Sequence, residues 1–397
     1  MTDEMTPRER MLAAMRNQTP DRVPVAPDIS NMIPCRLTGR PSYEIYANNQ
    51  PTLGDAYINA VKQLGIDGWY IYASLAYRYP AAVDERIEFI EKTSARWVAR
   101  HTVETPAGNL SETLVYPCDN PPTTTEKFIK NIEEDLDKYR YLYQVPTSYD
   151  DDAFQQEKKN LGELGAFGVG VYTPGLHVWC NIFDGSLETA TYAYYDYPEL
   201  FEELRQLHEA QALKQVEMLL DAGVDFILTG GSGSVTLQSP EIWRELSLPT
   251  LKKITRMCRQ AGVICGVHSC GKERYLLETC YQETDLDYIN PLEIEPMGDC
   301  TLKDAARFGD KLCIMGNLHT TNVMLEGSTD LVRLESLRAI RDAGQAGGFI
   351  LSTGDQCGRD TPLENIREMV KVGQEFGRYP LDMGAIDAEI ARLEKLV

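Results

Sequence analysis

The sequence predicts an α/β fold, a (β/α)8 or TIM barrel, because one pattern recurs along the chain. Apolar runs of four to seven residues are each followed by a turn rich in Gly, Ser, Asn or Asp and then by an amphipathic helix. Near-continuous apolar strands between helices are typical of a parallel sheet whose outer face the helices cover. Eight such units without a dinucleotide-binding glycine fingerprint favour a closed barrel over an open sheet.

The elements follow one another in a regular order. An N-terminal helix is marked by the capping box Thr6-Pro7-Arg8-Glu9, with proline at the first helical position. The eight predicted strands are short and apolar: Val23–Ile29, Gly68–Ala73, Gly168–Thr173, Phe226–Thr229, Val263–Val267, Tyr288–Leu292, Cys313–Gly316 and Phe349–Ser352. The helices predicted between them are Gly54–Leu64, Pro198–Asp221, Pro240–Ala261, Arg274–Glu283, Leu302–Phe308, Asp330–Ala343 and Pro362–Phe376.

One stretch, at about residues 92–164, breaks this rhythm between the second and third predicted strands. Arg96 to Tyr116 alternates and turns at Ala107-Gly108-Asn109, which predicts a β-hairpin. Thr123 to Leu164 is charged and is predicted to be helical. We therefore expect a single barrel domain over residues 1–397, with a hairpin-plus-helix insertion lying over the catalytic face as a lid or docking element.

Composition narrows the class of protein. The 397 residues carry a formal charge of −21, which disfavours binding to nucleic acid or to anionic membrane surfaces. The sequence contains no apolar run near the roughly 18 residues of a membrane span and does not begin with a signal-peptide pattern, so a cytoplasmic protein is expected. Ten cysteines scattered singly fit a reducing compartment, in which most are core residues and a few are candidate metal ligands.

A metal site is predicted where two strands end. His268-Ser269-Cys270 follows the strand Val263–Val267, and residues two apart on an extended chain point to the same side. Cys357 comes shortly after the last strand, and all strands of a barrel end on the same face. One His and two Cys suit zinc, and three protein ligands leave a fourth position open, as in catalytic sites. His-x-Cys alone is a weak signal, because a core histidine beside a core cysteine gives the same spacing.

Other polar and aromatic residues at predicted strand ends are weaker candidates. Glu293 is a candidate fourth ligand or general acid, and a helix-capping or surface carboxylate explains it equally well. Asn317 is a candidate substrate contact, with loop hydrogen bonding as the alternative. Tyr72, His177 and Trp179 are candidates for the walls of a pocket that binds an aromatic methyl ether, although core packing accounts for them as well.

Three further stretches carry a family resemblance when they are taken with the metal motif. They are Pro7-Arg8-Glu9-Arg10-Met11-Leu12-Ala13-Ala14, Pro20-Asp21-Arg22-Val23-Pro24-Val25 and Thr361-Pro362-Leu363-Glu364-Asn365-Ile366. With these segments the chain resembles the uroporphyrinogen decarboxylase superfamily, in particular its cobalamin-dependent, zinc-containing methyltransferase branch. The zinc motif of that branch, His-x-Cys followed by a distant Cys, falls on His268, Cys270 and Cys357.

The resemblance implies a reaction and its participants. Members of the branch transfer a methyl group between a substrate or carrier thiol and a separate corrinoid-binding protein. It implies Zn2+ on this chain, a corrinoid (cobalamin) carried by a partner protein, and a small-molecule methyl donor. The favoured direction is from a methylated substrate to the Co(I) of the corrinoid. The sequence contains no Asp-x-His-x-x-Gly corrinoid motif, which is why a partner is expected.

Three alternatives stay open. A second methyltransferase would pass the methyl group from the corrinoid to a thiol or a folate. A decarboxylase would need an arginine-rich carboxylate clamp, and Ile33 to Arg40 matches that segment only loosely. A barrel with a purely structural zinc is the third. The oligomeric state is also open, with a homo-oligomer among the alternatives.

Overall fold

Seven parallel strands form one curved sheet in the computed structural model, which describes residues 4–397. These barrel strands pair in chain order: Gly68–Tyr70, Gly165–Gly170, Phe226–Gly230, Ile264–His268, Tyr288–Asn290, Cys313–Leu318 and Phe349–Thr353. All six pairings between neighbours are parallel. The predicted parallel α/β architecture is therefore confirmed, with strand bounds that differ from the predicted ones by a few residues.

The segment predicted as the first strand, Val23–Ile29, is not a regular strand. Its only bridge within the segment is a parallel one between Val25 and Leu351. Pro24 and Pro27 explain the difference, because a proline has no backbone N–H to donate to a strand ladder. The prediction of eight regular strands is thus wrong by one, and we call residues 23–29 the seam.

The seam nevertheless joins the two edges of the sheet. On one side, the backbone N–H of Ala26 donates to the Leu351 carbonyl at 2.9 Å. On the other side, the Val25 carbonyl accepts from the N–H of Asp67, the residue before the first barrel strand, also at 2.9 Å. The ring is therefore closed by these few hydrogen bonds instead of a full eighth ladder.

Helices surround the barrel. The α-helices are Pro7–Met15, Met32–Thr38, Ser42–Asn48, Leu53–Leu64, Ile132–Tyr139, Asp152–Leu161, Leu176–Trp179, Ser186–Asp196, Pro198–Ala222, Pro240–Leu246, Leu248–Ala261, Arg274–Glu283, Leu302–Ala305, Thr329–Ala343, Leu363–Phe376 and Met383–Leu393. Short 3-10 turns lie at Gly162–Leu164 and Ala306–Phe308, and Thr320–Leu325 is π-helical. Within the part of the chain that the structure describes, no helix has both the length and the apolar character needed to cross a bilayer.

Large side chains fill the inside of the barrel. Trp69, Phe226 and Tyr288 pack together there, and the Trp69 indole N–H lies 3.2 Å from the Tyr288 hydroxyl. Gly266 makes room for them, because a Cβ at this position would lie 2.0 Å from the Tyr288 ring. Met11 of the N-terminal helix packs into the same cluster. The interior is therefore a packed core, and only the end at which the strands finish is left for chemistry.

The insertion is more β-rich than predicted. The expected hairpin is present as Arg96–Thr105 paired with Gly108–Pro117, inside a four-stranded antiparallel sheet. That sheet also contains Asp84–Lys92, which lies before the predicted start of the insertion, and Thr123–Glu126. A further two-stranded sheet pairs Ala76–Arg78 with Ser148–Asp150, so the region predicted as helical holds helices only in part.

The insertion lies beside the mouth of the barrel. Val103 and Leu110 pack in one cluster with Trp179 and Phe183, which follow the second barrel strand. An ion pair joins Asp119, just beyond the insertion sheet's third strand, to Arg359, which follows the last barrel strand. Both contacts are to segments at the carboxyl ends of barrel strands, so this region flanks the face on which the site lies.

Candidate metal centre

Two of the three predicted metal ligands converge at the mouth of the barrel. His268 is the last residue of its strand, and Ile264, on the same side of that strand, lies in the interior cluster. One nitrogen of His268, the Cys270 sulfur and one Asp355 oxygen all lie within 4.8 Å of one another. The structure thus brings His268 and Cys270 together and adds a carboxylate that the sequence did not single out.

The His268 ring is oriented by its neighbours. Its Nδ1 lies 2.8 Å from Oδ1 of Asn290, the residue directly beside it on the next strand. An amide oxygen only accepts, so Nδ1 carries the proton and the Nε2 lone pair is left for another ligand. The Ser232 hydroxyl lies 3.3 Å from Nε2. Asn290 therefore fixes the tautomer that a metal-binding histidine requires.

Cys357, the third predicted ligand, lies close by but outside that group of three. Its side chain is completely buried, and its backbone N–H donates to the Asp28 carbonyl at 2.7 Å. Burial, reinforced by the charge of Asp28, raises the pKa of the Cys357 thiol to about 12. Burial and the charge of Asp355 likewise raise the pKa of Cys270 to about 11. The assignment of Cys357 to the metal stays a prediction.

Carboxyl groups crowd the same region. Burial raises the pKa of Asp28 and of Glu293. Glu293 Oε2 accepts from the N–H of Gly271 at 2.5 Å, which ties it to the loop that carries Cys270. Among residues 4–397, no lysine or arginine forms an ion pair with Asp28, Glu293 or Asp355.

Glu273 is the fourth carboxyl group of this region. Its side chain is fully buried, Oε2 accepts from the Glu293 N–H at 3.2 Å, and Oε1 has no hydrogen-bond partner. Burial raises the pKa of Glu273 to about 9, so the group is neutral at pH 7. Glu273 and Glu293 thus join the loops after two neighbouring barrel strands.

The donor set fits a zinc ion. Imidazole nitrogen, thiolate sulfur and carboxylate oxygen are the ligands that zinc takes in proteins. The surplus of acidic groups without a basic partner is what a bound cation would balance. A cation would also hold the buried thiols as thiolates, which their raised pKa values otherwise oppose. His268, Cys270 and Asp355, with Cys357 and Glu293 beside them, are therefore suitable to hold the metal.

Sequence reasoning missed Asp28, Ser232, Glu273 and Asp355. Lone carboxylates are common, and none of these residues belongs to a spaced motif. Position was the available signal for two of them, because Ser232 and Asp355 each follow the end of a barrel strand by two residues. Asp355 also lies two residues before Cys357.

Two of the predicted substrate-binding residues lie at the mouth. The Tyr72 hydroxyl donates to the Ser30 carbonyl, and the Ser30 hydroxyl donates to the Asp28 carboxylate, so Tyr72 is linked to the acidic cluster. Asn317 lines a small cleft together with Glu293. Their contact with a substrate stays a prediction.

The other two, Trp179 and His177, are buried among other side chains. Trp179 is fully buried, and its indole N–H lies 3.2 Å from Nδ1 of His208 in a separate core cluster. His177 is buried, accepts from Gln238 at Nδ1 over 2.9 Å, and has its pKa lowered to about 4 by burial. Because Gln238 ends the loop that carries Ser232, His177 supports that loop. Burial disfavours both as pocket walls, and no observation supports a substrate contact.

Comparisons with known proteins agree with the barrel. The family model for uroporphyrinogen decarboxylase (URO-D) matches residues 153–376, more than half of the chain. The solved structure of a methyltransferase from Methanosarcina mazei superposes with a TM-score of 0.65 at 17% identity, covering 94% of this chain and 99% of that chain. A B12-independent methionine synthase from Shewanella sp. W3-18-1 gives a TM-score of 0.44 at 13% identity over 94% and 99% of the two chains. No curated protein sequence gives a match.

Proposed function

The chain belongs to the uroporphyrinogen decarboxylase family, and on that premise we propose that it is a zinc-dependent methyltransferase. It moves a methyl group from a methylated small molecule, an aromatic methyl ether among the candidates, to the Co(I) of a corrinoid carried by a partner protein. The expected membership of this superfamily is confirmed by the family match, and the barrel fold by the likeness to the methyltransferase structure.

The observation that carries the proposal is the group formed by His268, Cys270 and Asp355 at the barrel mouth. Soft and hard donors around an acidic, cation-poor centre suit a catalytic zinc with an open coordination position. Zinc, when bound, supplies Lewis-acid polarisation of the heteroatom from which the methyl group departs.

The chain's own residues have distinct roles in this proposal. Asn290 holds the His268 ring, and Gly271 ties Glu293 to the loop of Cys270. Glu293 is then suited to protonate the departing heteroatom, because burial raises its pKa and keeps a larger share of it protonated. Tyr72, linked to the acidic cluster through Ser30, would border the donor.

A ring of exposed apolar side chains supports a partner at this face. Tyr172, Leu237, Met297 and Leu325 are between 36% and 60% exposed. They lie on the segments after the second, third, fifth and sixth barrel strands, and so flank the mouth on several sides. Exposed apolar surface around a reactive centre is typical of a docking site. The proposed occupant is the corrinoid-binding protein, whose cobalt has to reach the methyl group.

The same electrostatics disfavour a decarboxylase acting on a polycarboxylate. Asp28, Glu293 and Asp355 would repel such a substrate. The arginines of the stretch from Ile33 are already engaged, since Arg36 donates to the carbonyls of Arg359 and Thr361. Arg40 forms a surface pair with Glu44 instead.

The ligand set is tested by measuring bound zinc in three purified single variants, Cys270→Ser, Asp355→Asn and Cys357→Ser. We expect the wild type to bind about one zinc per chain and Cys270→Ser to bind almost none. If Cys357→Ser keeps full zinc while Asp355→Asn loses it, Asp355 is the third ligand. Full zinc in Cys270→Ser would contradict the site.

The reaction is tested by following the conversion of Co(I) to methyl-Co(III) by absorbance with free cobalamin. The donors are 2-methoxyphenol, methanol, trimethylamine and dimethyl sulfide. We expect turnover with at least one donor, lost on chelation of zinc. Activity with only methylcobalamin and a thiol would instead support the second-methyltransferase alternative, and chelator-resistant decarboxylation would support the decarboxylase.

A further inference from the structure

One strand of the four-stranded insertion sheet lies at an open edge. Asp84–Lys92 pairs on one side with Arg96–Thr105, and its other side pairs with no strand within residues 4–397. Outside that ladder, the described chain makes no backbone hydrogen bond to residues 84–92. About half of the backbone N–H and C=O groups of such a strand face outward and are able to pair with another strand.

This edge is regular and exposed. Its first five residues are all exposed, and the ladder is regular over residues 84–89, before a bulge. Ile87 and Ile90 are 52% and 62% exposed. A long edge strand with exposed apolar side chains is a site to which another strand can add.

The charges of this edge indicate which strand fits it. Charged side chains usually keep edge strands apart, but Arg86 and Glu88 flank Ile87 and form no ion pair within the described residues. In an antiparallel pair of two copies, a two-fold axis through Ile87 sets Arg86 of each copy opposite Glu88 of the other. Moving the axis by one residue places Glu88 opposite Glu88 or Arg86 opposite Arg86, which is unfavourable. The edge is therefore complementary to itself in the register centred on Ile87.

We propose that a second copy of this chain binds at this edge, so that the two insertion sheets join into one antiparallel sheet of eight strands. The two Ile87 side chains lie opposite each other at the axis, with an Arg86–Glu88 pair on either side. A contact about 20 Å long and one strand wide is smaller than the roughly 800 Å² per partner of a standard interface. The dimer is therefore weak and depends on concentration. It does not depend on the proposed reaction.

The test exchanges the charges of this register. Sedimentation equilibrium of the full chain at about 1–200 µM measures the dimer, in about 0.15 M salt to screen the repulsion between two acidic chains. We expect the wild type to dimerise with a Kd in the micromolar range. Arg86→Glu and Glu88→Arg, each alone, should weaken the dimer at least about tenfold, because like charges then face each other. An equimolar mixture of the two single variants should regain it, and so should the double variant, since opposite charges then face each other again.

A second pair of variants separates the edge from a general effect of charge. Ile87→Lys should abolish the dimer, because two lysines would meet at the axis. The matched control is Ile90→Lys, which is at least as exposed but lies outside the regular ladder, and it should keep the dimer. Thermal melting checks that each variant is folded. Amide exchange of residues 84–89 should slow as the concentration of the wild type or of the control rises.

A wild type that stays monomeric over the whole concentration range would overturn the proposal. A dimer that Arg86→Glu and Ile87→Lys leave unchanged would do the same, since the copies would then meet elsewhere. Single variants that stay monomeric when mixed would exclude the register centred on Ile87. Protection of residues 84–89 that is equal at all concentrations would show that the chain itself covers the edge, which also contradicts the proposal.

Discussion

The two ends of the barrel both bury charged groups, but they balance them differently. At the end where the strands begin, Arg10 bonds to Asp21 at 2.7 Å and to Asp67 at 2.6 Å, and Arg22 reaches Asp67 at 2.9 Å. These side chains are at most 4% exposed. Burial would raise the pKa of Asp21, but the hydrogen bonds from Arg10 and from backbone N–H groups outweigh it and lower the pKa to about 2.

At the mouth, within residues 4–397, Asp28, Glu273 and Glu293 form no ion pair with a lysine or an arginine. Burial raises the pKa of each of them, and the nearby charge of His268 does not outweigh this effect at Asp28 and Glu293. The buried charges at one end of the barrel are paired and stabilise the fold. Those at the other end are left unpaired, so that they are available to bind a cation. Acidic groups without a basic partner, more than burial itself, therefore distinguish the candidate site from the scaffold.

The largest expected effect is a loss of stability at the end of the barrel where the strands begin. Arg10→Met would leave the buried Asp21 without its arginine and Asp67 with Arg22 alone, so the free energy of unfolding should fall by about 3–5 kcal/mol. Urea unfolding at pH 7 measures it. The matched control is Arg40→Met, whose surface pair with Glu44 is 53% and 33% exposed and should cost under about 1 kcal/mol. If both variants lost the same free energy of unfolding, the structural role assigned to the Arg10 ion pairs would be wrong.

At the mouth, Cys270→Ser should affect metal binding and not folding. A structural zinc site contributes about 10–16 kcal/mol over four ligands, so losing one should weaken zinc binding by about 3 kcal/mol. Competition with a chromophoric chelator measures this loss. In metal-free protein the same variant should change the free energy of unfolding by less than about 1 kcal/mol. If metal-free Cys270→Ser lost as much free energy of unfolding as Arg10→Met, the two ends of the barrel would not differ in the way described.

A smaller effect is expected from Asn290→Ala, which frees the His268 ring to rotate. Loss of such an orienting partner usually weakens metal affinity by about 10–100-fold. The control is Asn317→Ala, because Asn317 lines the neighbouring cleft without bonding His268. Unchanged zinc affinity in Asn290→Ala would mean that the ring is held by other contacts.

The last prediction concerns the pH dependence of stability. The pKa of Glu273 is about 9 in the folded protein, above its ordinary value of 4.5, so the folded chain binds this proton more tightly than the unfolded chain. Its contribution to stability is complete below about pH 4.5 and is lost as the pH rises toward 9. In metal-free protein, Glu273→Gln should therefore be more stable than the wild type at pH 8, by about 1–3 kcal/mol, and similar to it at pH 5. If the urea midpoints of the variant and the wild type differed by the same amount at pH 5 and at pH 8, the raised pKa of Glu273 would be contradicted.

Much of the barrel could be predicted because apolar runs report burial directly. Phe226–Gly230 and Phe349–Thr353 are buried along their whole length, as their sequences suggest. The seam could not be predicted as irregular from its apolar residues, since Pro24 and Pro27 act by removing hydrogen-bond donors. Asp84–Lys92 was missed for the opposite reason, because this edge strand is largely exposed and charged.

The site was predictable only in part. His268 and Cys270 share a strand end, so their spacing alone places them together. Asp28 and Glu273 reach the centre through tertiary packing, from the seam and from a helix start that are far apart in sequence. No local sequence pattern indicates that these residues come together. Trp179 is the opposite case, because it follows a strand as a site residue would, yet packs into a core cluster.

The seam also gives the molecule an order of assembly. Asp28 and Thr353 are 325 positions apart and meet only when the ring closes. Contacts between residues so far apart in sequence form slowly during folding. The Asp28 carbonyl is also the acceptor for the Cys357 backbone, so a collapsed chain with an open ring lacks part of the centre. During renaturation, regained metal uptake should therefore lag behind regained helicity, and the length of that lag would time the closure of the ring.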